Sequence, residues 1–199
     1  MMLVPNIYTG NITMIVSPAN PSDLCYEGGP LAYADVQAVP YSGYTVRSIM
    51  EIRWPQSDDS PTLTVSSEPY NASIDTSKAD NIVPATIFDE ILTRAPQWGV
   101  APTFEGLASF YSPDCYESFL RVSPEIRYTI SSSETQVAAI VTHPSDYLGR
   151  SSSGECRLFL QSDRYLQPIF GTNFLRNTAV HFDYTNHRLG FCEPISNIS

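Results

Sequence analysis

The stretch PIFGTNFLR, residues 168–176, is the most informative part of this sequence because two short alternating segments follow it. Residues 179–183 read AVHFD, and residues 188–191 read RLGF. Apolar and polar residues alternate in both segments, as they do in half-buried strands, and the polar residues between them are typical of a turn. We therefore predict a short helix over 174–177 and a β-hairpin over 179–191.

Strand patterns also dominate the rest of the chain. Residues 44–54 alternate apolar with polar or charged side chains, which predicts a strand with one buried face. A hairpin is predicted across Ser131 to Ser133. The remaining predicted strands, with the two arms of that hairpin, are 12–16, 31–39, 62–65, 125–130 and 136–141.

One longer helix is predicted between Pro84 and Pro96. Proline is favoured in the first turn of a helix, and a second proline ends the run. Apolar residues recur between them at helical spacing, at Ile87, Phe88, Ile91 and Leu92. The chain is therefore predicted to be mostly β with a few short helices, in a single domain over residues 1–199.

Composition narrows the classes of function. The chain has 199 residues, of which 42% are hydrophobic and 16% are charged, as expected of a folded domain with a substantial core. Its 11 basic and 21 acidic residues give a net charge of −10. Nucleic acids and anionic membranes require a basic face, so we expect neither as a partner. No apolar run reaches the roughly 18 residues of a membrane span, so none is predicted.

The four cysteines lack the C-x-x-C spacing of zinc ribbons. They are Cys25, Cys115, Cys156 and Cys192. Their even number and wide separation favour two disulfides and an oxidising compartment, and four buried free thiols are the alternative.

Three sequons indicate the same compartment and mark Asn11, Asn71 and Asn197 as candidate glycosylation sites. Residues 1–6, however, lack the basic and apolar regions of a signal peptide. Secretory features without a signal peptide lead us to expect that the chain lacks its true N-terminus.

Taken together, residues 168–176, 180–183 and 188–191 resemble the C-terminal signature of the pepsin-like aspartic proteases. Ser73-Ile74-Asp75-Thr76-Ser77 is similar to that family's second Asp-Thr-Gly loop, and the helix after Pro84 lies where the family places one. The resemblance runs from about residue 12 to residue 193. It implies one lobe of the pepsin-like double-ψ β-barrel fold, the C-terminal one, with the N-terminal lobe absent from the chain.

The resemblance also implies how the cysteines pair. Cys115 and Cys156 lie where many family members carry a disulfide of this lobe. Closing that loop would stabilise the fold by roughly 4 kcal/mol in the chain-entropy account. Cys25 and Cys192 then remain as the second pair. The same resemblance places the chain in the secretory pathway, either secreted or endolysosomal.

In this family two carboxylates share one proton, because like charges about 3 Å apart do not both ionise. One carboxylate takes a proton from the attacking water, and the other acid stabilises the developing oxyanion. The resemblance assigns Asp75 as one of these groups, with Thr76 and Ser77 in its loop. A single aspartate cannot fill both roles, so the chain is expected to be inactive in isolation.

This loop departs from the family pattern at two positions. Ser77 replaces the glycine, and Lys78, the chain's only lysine, replaces a hydroxyl residue that holds the aspartate. An ammonium near Asp75 favours the ionised carboxylate and lowers its pKa, which opposes a shared proton. Asp75 is therefore either a working catalytic group in a longer or assembled protein or a vestigial aspartate paired with Lys78.

These observations leave three hypotheses open. The chain is a lobe of an aspartic endopeptidase, a non-catalytic relative that binds peptides or proteins, or a single-lobe homodimer with Asp75 from each copy. A peptide is the expected substrate or ligand. We expect no cofactor and no metal, since His143, His181 and His187 are dispersed. An isolated lobe is also expected to expose a sheet edge and an apolar face near residues 188–191, which the missing lobe or a protein partner would cover.

Overall fold

A computed structural model describes most of the chain. The described residues are 1–5, 12–15, 20–26, 29–36, 44–54, 64–94, 100–102, 108–110, 115–132, 135–150, 156–162 and 167–194. Within them the protein is mostly β, as expected, with three sheets and a few short helices.

The first sheet has five strands and contains both ends of the described chain. Its strands in spatial order are β2 (Ile12–Ile15), β1 (Met2–Pro5), β16 (Ala179–Asp183), β17 (Arg188–Cys192) and β3 (Ala32–Asp35). The predicted hairpin over 179–191 is confirmed, with Phe182 opposite Leu189. Our expectation of an exposed edge is wrong for residues 188–191 themselves, because β17 pairs with β16 on one side and with β3 on the other. Within the described residues the edge next to them is the neighbouring strand β3.

The second sheet carries most of the core. Its main path is β11 (Thr135–Thr142), β10 (Glu125–Ser132), β4 (Thr45–Arg53), β6 (Tyr70–Ile74), β15 (Ile169–Phe170), β7 (Asn81–Val83) and β14 (Leu160–Ser162), and β5 (Thr64–Ser66) pairs with β4. Most neighbours are antiparallel, but β15 runs parallel to β6 and β14 runs parallel to β7. The parallel pairing of β15 with β6 places Ile169 and Phe170 beside the end of β6.

Strand β4 shows why the period-2 pattern was informative. Val46, Ser48, Met50 and Ile52 are buried, whereas Arg47 and Arg53 are exposed. The predicted hairpin of β10 and β11 is also present, with Ile126 opposite Thr142 at its open end.

The third sheet and the helices complete the fold. The sheet runs β12 (Leu148–Arg150), β13 (Cys156–Leu158), β9 (Ala108–Phe110) and β8 (Val100–Pro102). The helices are α1 (Ala85–Arg94), α2 (Cys115–Val122) and α3 (Pro144–Tyr147), with 3₁₀ turns at Pro21–Leu24 and Phe174–Asn177. The helices after Pro84 and over 174–177 were predicted. Helix α2 was not predicted, although Pro113 and Asp114, residue types that favour a helix start, stand directly before it in the sequence.

Helix α1 begins directly after Pro84, whose carbonyl accepts hydrogen bonds from the N–H groups of Ile87 and Phe88. Ile87, Phe88 and Ile91 are buried at helical spacing, and Asp89 is exposed on the other face. The amphipathic pattern therefore predicted both the helix and the face that it buries.

An aromatic group lies in the middle of the core. Phe170 and Phe174 stack with their ring centroids 4.3 Å apart, and Tyr128 meets both rings edge-on at 5.2 Å. All three side chains are buried. Offset stacking and edge-to-face contacts of this kind add about 0.5–1.5 kcal/mol per pair beyond the area buried. They attach residues 168–174, which bear the signature sequence, to the central strands.

The predicted disulfide between Cys25 and Cys192 is confirmed, with the two Cα atoms 5.7 Å apart. It closes a loop of 167 residues, for which chain entropy gives a stabilisation of roughly 5 kcal/mol. The side chains of Cys115 and Cys156 lie outside the described residues, so their pairing stays a prediction. Among the described helices, none has the length and apolar character needed to cross a bilayer.

Candidate functional site

Asp75 lies immediately after β6, where the chain leaves the sheet. Its backbone N–H donates to the carbonyl of Phe170 at 3.1 Å, and the N–H of Ile74 before it donates to the carbonyl of Tyr44. The backbone entering the loop is thus held by two neighbouring segments. The side chain of Asp75 is partly exposed, so its carboxylate stands at the surface on a fixed support.

Ser77 holds the carboxylate of Asp75. Its backbone N–H and its hydroxyl both donate to Oδ1, at 2.9 Å and 2.7 Å. Hydrogen bonds to the ionised form stabilise it, so the Ser77 hydroxyl is the main cause that lowers the pKa of Asp75 below 3.8. Partial burial acts in the opposite direction and is outweighed. The carboxylate is therefore held ionised by its own loop.

Lys78 has a smaller effect than we expected from the sequence. Its charge does lower the pKa of Asp75, but it ranks behind both hydrogen bonds from Ser77. Thr76, Ser77 and Lys78 are all exposed. Among the described residues other than glycine, His187 alone has a positive φ, so Ser77 occupies the former glycine position without that strain.

Asn81 holds the buried side of the loop through hydrogen bonds. The sequence pattern alone did not identify it. It is fully buried, and its Oδ1 accepts hydrogen bonds from the N–H groups of Gly171 at 2.9 Å and Phe174 at 3.2 Å. Its Nδ2 donates to the hydroxyl of Tyr128. A polar residue at the start of the apolar run Asn81–Val83 was the signal that could have revealed it.

Gly171 allows the signature segment to approach the loop closely. A Cβ at this position would meet the main-chain oxygen of Asp80, and would lie 2.8 Å from that of Lys78. The adjacent N–H of Thr172 donates to the carbonyl of Lys78 at 2.8 Å. The segment 168–174 therefore braces the Asp75 loop through its backbone, which only glycine permits here.

The second titratable group considered in the sequence, His181, has the cross-strand role that we expected. Its Nδ1 lies 3.1 Å from the hydroxyl of Tyr33 on β3. Partial burial is the main cause that lowers its pKa below 6.5. Nearby, Asp183 accepts hydrogen bonds from Asn186 and Arg188, which lower its pKa to about 2. These contacts stabilise the β16–β17 hairpin and do not reach the Asp75 loop.

The remaining sequence predictions concern metal binding and glycosylation. No three His, Cys, Asp or Glu side chains gather in a metal-binding group within the residues that the structure describes. Asn71 lies in β6 opposite Arg47 and is half-buried. Asn11 and Asn197 lie outside the described residues. Glycosylation at all three stays a prediction.

Chemically, the loop presents one ionised carboxylate on a rigid backbone, in a mostly β domain with the strand order described above. Such a group accepts a proton or a hydrogen bond from a ligand in solution. Both features are expected of a domain of the acid-protease class. The family model of the eukaryotic aspartyl proteases matches residues 23–194, so the chain belongs to this family. A search of the curated proteins found no match.

Proposed function

We propose that this chain is the C-terminal lobe of an aspartic endopeptidase and supplies Asp75 as one of two catalytic carboxylates. The observation that carries the proposal is the carboxylate of Asp75, partly exposed and held ionised by two hydrogen bonds from Ser77. An ionised carboxylate is the form required of the group that takes a proton from the attacking water.

The second carboxylate comes from a lobe that this chain does not contain. Its acid form would donate to the developing oxyanion, and a proton shared with Asp75 would keep the pair singly charged. Thr76 lies in the loop where it can contact that lobe. With Asp75 alone, the chain does not hydrolyse peptides.

The compartment proposed for this activity is a secretory or endolysosomal lumen. The Cys25–Cys192 disulfide supports an oxidising environment, and membership of the aspartyl protease family agrees with it. A second disulfide between Cys115 and Cys156 and glycans on Asn11, Asn71 and Asn197 belong to the same proposal. A mass spectrum of the native protein before and after deglycosylation and reduction would count them.

The experiment that tests catalysis compares two preparations. The first is the recombinant 199-residue chain, and the second is the native protein captured from its cells with an antibody against this chain. Each is incubated with denatured haemoglobin between about pH 2 and pH 7. We expect hydrolysis only in the native preparation, with loss of activity on adding a statine-type inhibitor. Complete inactivity of the native protein over this range would contradict the catalytic proposal.

A non-catalytic peptide-binding or protein-interaction module is the second candidate. The substitutions at Ser77 and Lys78 favour it, and the charge of Lys78 lowers the pKa of Asp75, which opposes the proton that a working pair shares. The double variant Ser77→Gly and Lys78→Thr, made in the two-lobed protein, separates the candidates. Activity that appears only in this variant supports a non-catalytic module, and equal activity in both proteins supports the endopeptidase.

A further inference from the structure

A cavity of about 770 Å³ lies away from the Asp75 loop, between strand β11 and the end of β17. One side is formed by Ala138–Val141 of β11, and the other by Phe191 and the residues that follow it. In the second sheet β11 is three strands from β6, a separation of about 14 Å at the usual strand spacing. The cavity therefore belongs to a different surface from the candidate catalytic loop.

Strand β11 is the edge of its sheet within the described part of the chain. One side of its backbone pairs with β10, which leaves the outer N–H and C=O groups beside the cavity without a strand partner among the described residues. Proteins usually protect such edges with charges or proline. The segment Ala138–Val141 has neither, and Ala139 and Val141 are exposed.

The walls of the cavity are held in place before any ligand arrives. On one side the Cys25–Cys192 disulfide and the hydrogen bond from the Tyr26 N–H to the Glu193 carbonyl fix the chain. On the other side Asp146 accepts hydrogen bonds from the backbone of His143 and from Asn177, at 2.8 Å and 2.6 Å. A preformed site loses less conformational entropy on binding than a flexible one.

One buried polar group in the wall has no partner. Thr178 is 1% exposed, and its hydroxyl makes no hydrogen bond with any described atom. A buried hydroxyl without a partner costs about 1–3 kcal/mol. Because Thr178 lines the cavity, a polar atom of a bound molecule could satisfy it.

The acidic residues that line the cavity indicate the charge of the molecule that binds there. Asp146 and Glu193 line it, and neither forms an ion pair with a described residue; the one basic candidate in the lining, His143, lies 3.2 Å from Glu125. A second copy of this chain is a poor occupant, since each copy has a net charge of −10 and would bring the same acidic wall. An extended peptide with a basic side chain complements both the free strand edge and the acidic wall.

We propose that this cavity is a docking site for an extended segment of a partner polypeptide, which adds as a strand to the outer edge of β11 and directs a lysine or arginine toward Asp146 and Glu193. Strand addition of this kind takes its affinity from backbone hydrogen bonds and its selectivity from alternate side chains. At about 3.4 Å per residue, the segment Ala138–Val141 accommodates four or five residues of the partner. The proposal is independent of whether Asp75 is catalytic.

The test starts from a random decapeptide phage library selected on the 199-residue chain. We expect enrichment of sequences with alternating apolar residues and a lysine or arginine. A synthetic peptide of the strongest sequence is then bound to the protein while backbone hydrogen exchange is followed. Slower exchange within Ala138–Val141 supports strand addition. A library without enrichment, or protection confined to residues 75–78, overturns the proposal.

Variants then test the named contacts. Thr178→Val keeps the shape of the side chain and removes the unpaired hydroxyl, so the melting temperature should not fall, while peptide affinity falls about fivefold. Glu193→Lys reverses an exposed charge of the wall and should weaken binding about threefold or more. Glu68→Lys changes the same charge at another exposed position outside the cavity lining and serves as the matched control.

Further outcomes test whether this cavity is separate from the Asp75 loop and whether a peptide or a second copy of the chain binds there. Asp75→Asn should leave peptide affinity unchanged, which separates this surface from the proposed catalytic loop. Equal losses of affinity in the Glu193→Lys and Glu68→Lys variants would contradict the role of the wall. A concentration-dependent dimer that protects the same β11 amides would show that a second copy is the occupant instead.

Discussion

Residues 75–78 and residues 80–83 are separated by one residue in the chain, yet the structure holds them in different ways. The first segment is largely exposed, and its main side-chain contacts run from Ser77 to Asp75 within the loop itself. The second is buried, and its Asn81 bonds to residues 171 and 174, far away in the sequence. The loop chemistry can therefore change without disturbing the fold, whereas the support behind it cannot.

The largest expected effect tests that buried support. Asn81→Ala removes the acceptor shared by the N–H groups of Gly171 and Phe174 and leaves both donors buried. At about 1–3 kcal/mol for each lost partner, we expect the free energy of unfolding to fall by about 3 kcal/mol, measured by urea denaturation. Asn71→Ala, on the half-buried strand β6, is the control and should cost about 0.5 kcal/mol. Equal losses of unfolding free energy in the two variants would contradict the role of Asn81 as the buried support of the loop.

Gly171→Ala should have the next largest effect. The added methyl group meets the main-chain oxygens of Asp80 and Lys78, so the segment must move away from the loop. Overpacking of this kind costs about 2 kcal/mol. Gly29→Ala is the matched control, because its nearest contact would be the Tyr26 oxygen at 3.2 Å. Thermal unfolding of both variants measures the difference, and a Gly171→Ala protein as stable as the control would be inconsistent with the proposed close approach.

Ser77→Ala tests the exposed segment. Stability near neutral pH should change by no more than about 0.5 kcal/mol, but the pKa of Asp75 should rise because its leading hydrogen bond is lost. An aspartate with a lowered pKa contributes stability that is present above 3.8 and is lost as the pH falls through its folded value. The variant should therefore lose less stability on acidification. Carbon-13 titration measures the pKa, and Ser77→Thr, which keeps a hydroxyl, should restore it.

The smallest effect is expected from Lys78→Met, which removes the charge without adding a hydrogen-bond donor. The exposed ammonium acts on Asp75 by charge alone and ranks behind Ser77, so its removal should raise the pKa of Asp75 by less than Ser77→Ala does. Salt screens exposed charges, so the difference in Asp75 pKa between Lys78→Met and the unaltered chain should shrink as salt is added. A larger rise than in Ser77→Ala would show that Lys78 controls the carboxylate, as the sequence first indicated.

Local pattern predicted the elements of this fold better than their contacts. The alternation in 44–54 and the apolar spacing after Pro84 each depend on one buried face, so they were visible in the sequence. The interior position of β17 in its sheet was not visible in the sequence, because β1 and β3, which come from the start of the chain, complete that sheet. Their pairing is a long-range event that periodicity does not encode.

The sequence was enough to identify Asp75 as the site residue but not to predict its hydrogen-bond partners. The resemblance pointed to Asp75, and chemistry predicted that Lys78 would lower its pKa. The larger effect of Ser77 depends on two hydrogen-bond distances that a substitution pattern does not reveal. Asn81 was missed for the same reason, because its partners lie some 90 residues away.

The proposed role of Asp75 depends most on a carboxylate that its own loop holds ionised. Carbon-13 titration of the Asp75 carboxyl group in the unaltered chain tests this directly. The structure predicts a midpoint below 3.8, the ordinary value for aspartate. A midpoint at or above 3.8 would contradict the account, because the Ser77 hydrogen bonds would then fail to stabilise the charged form.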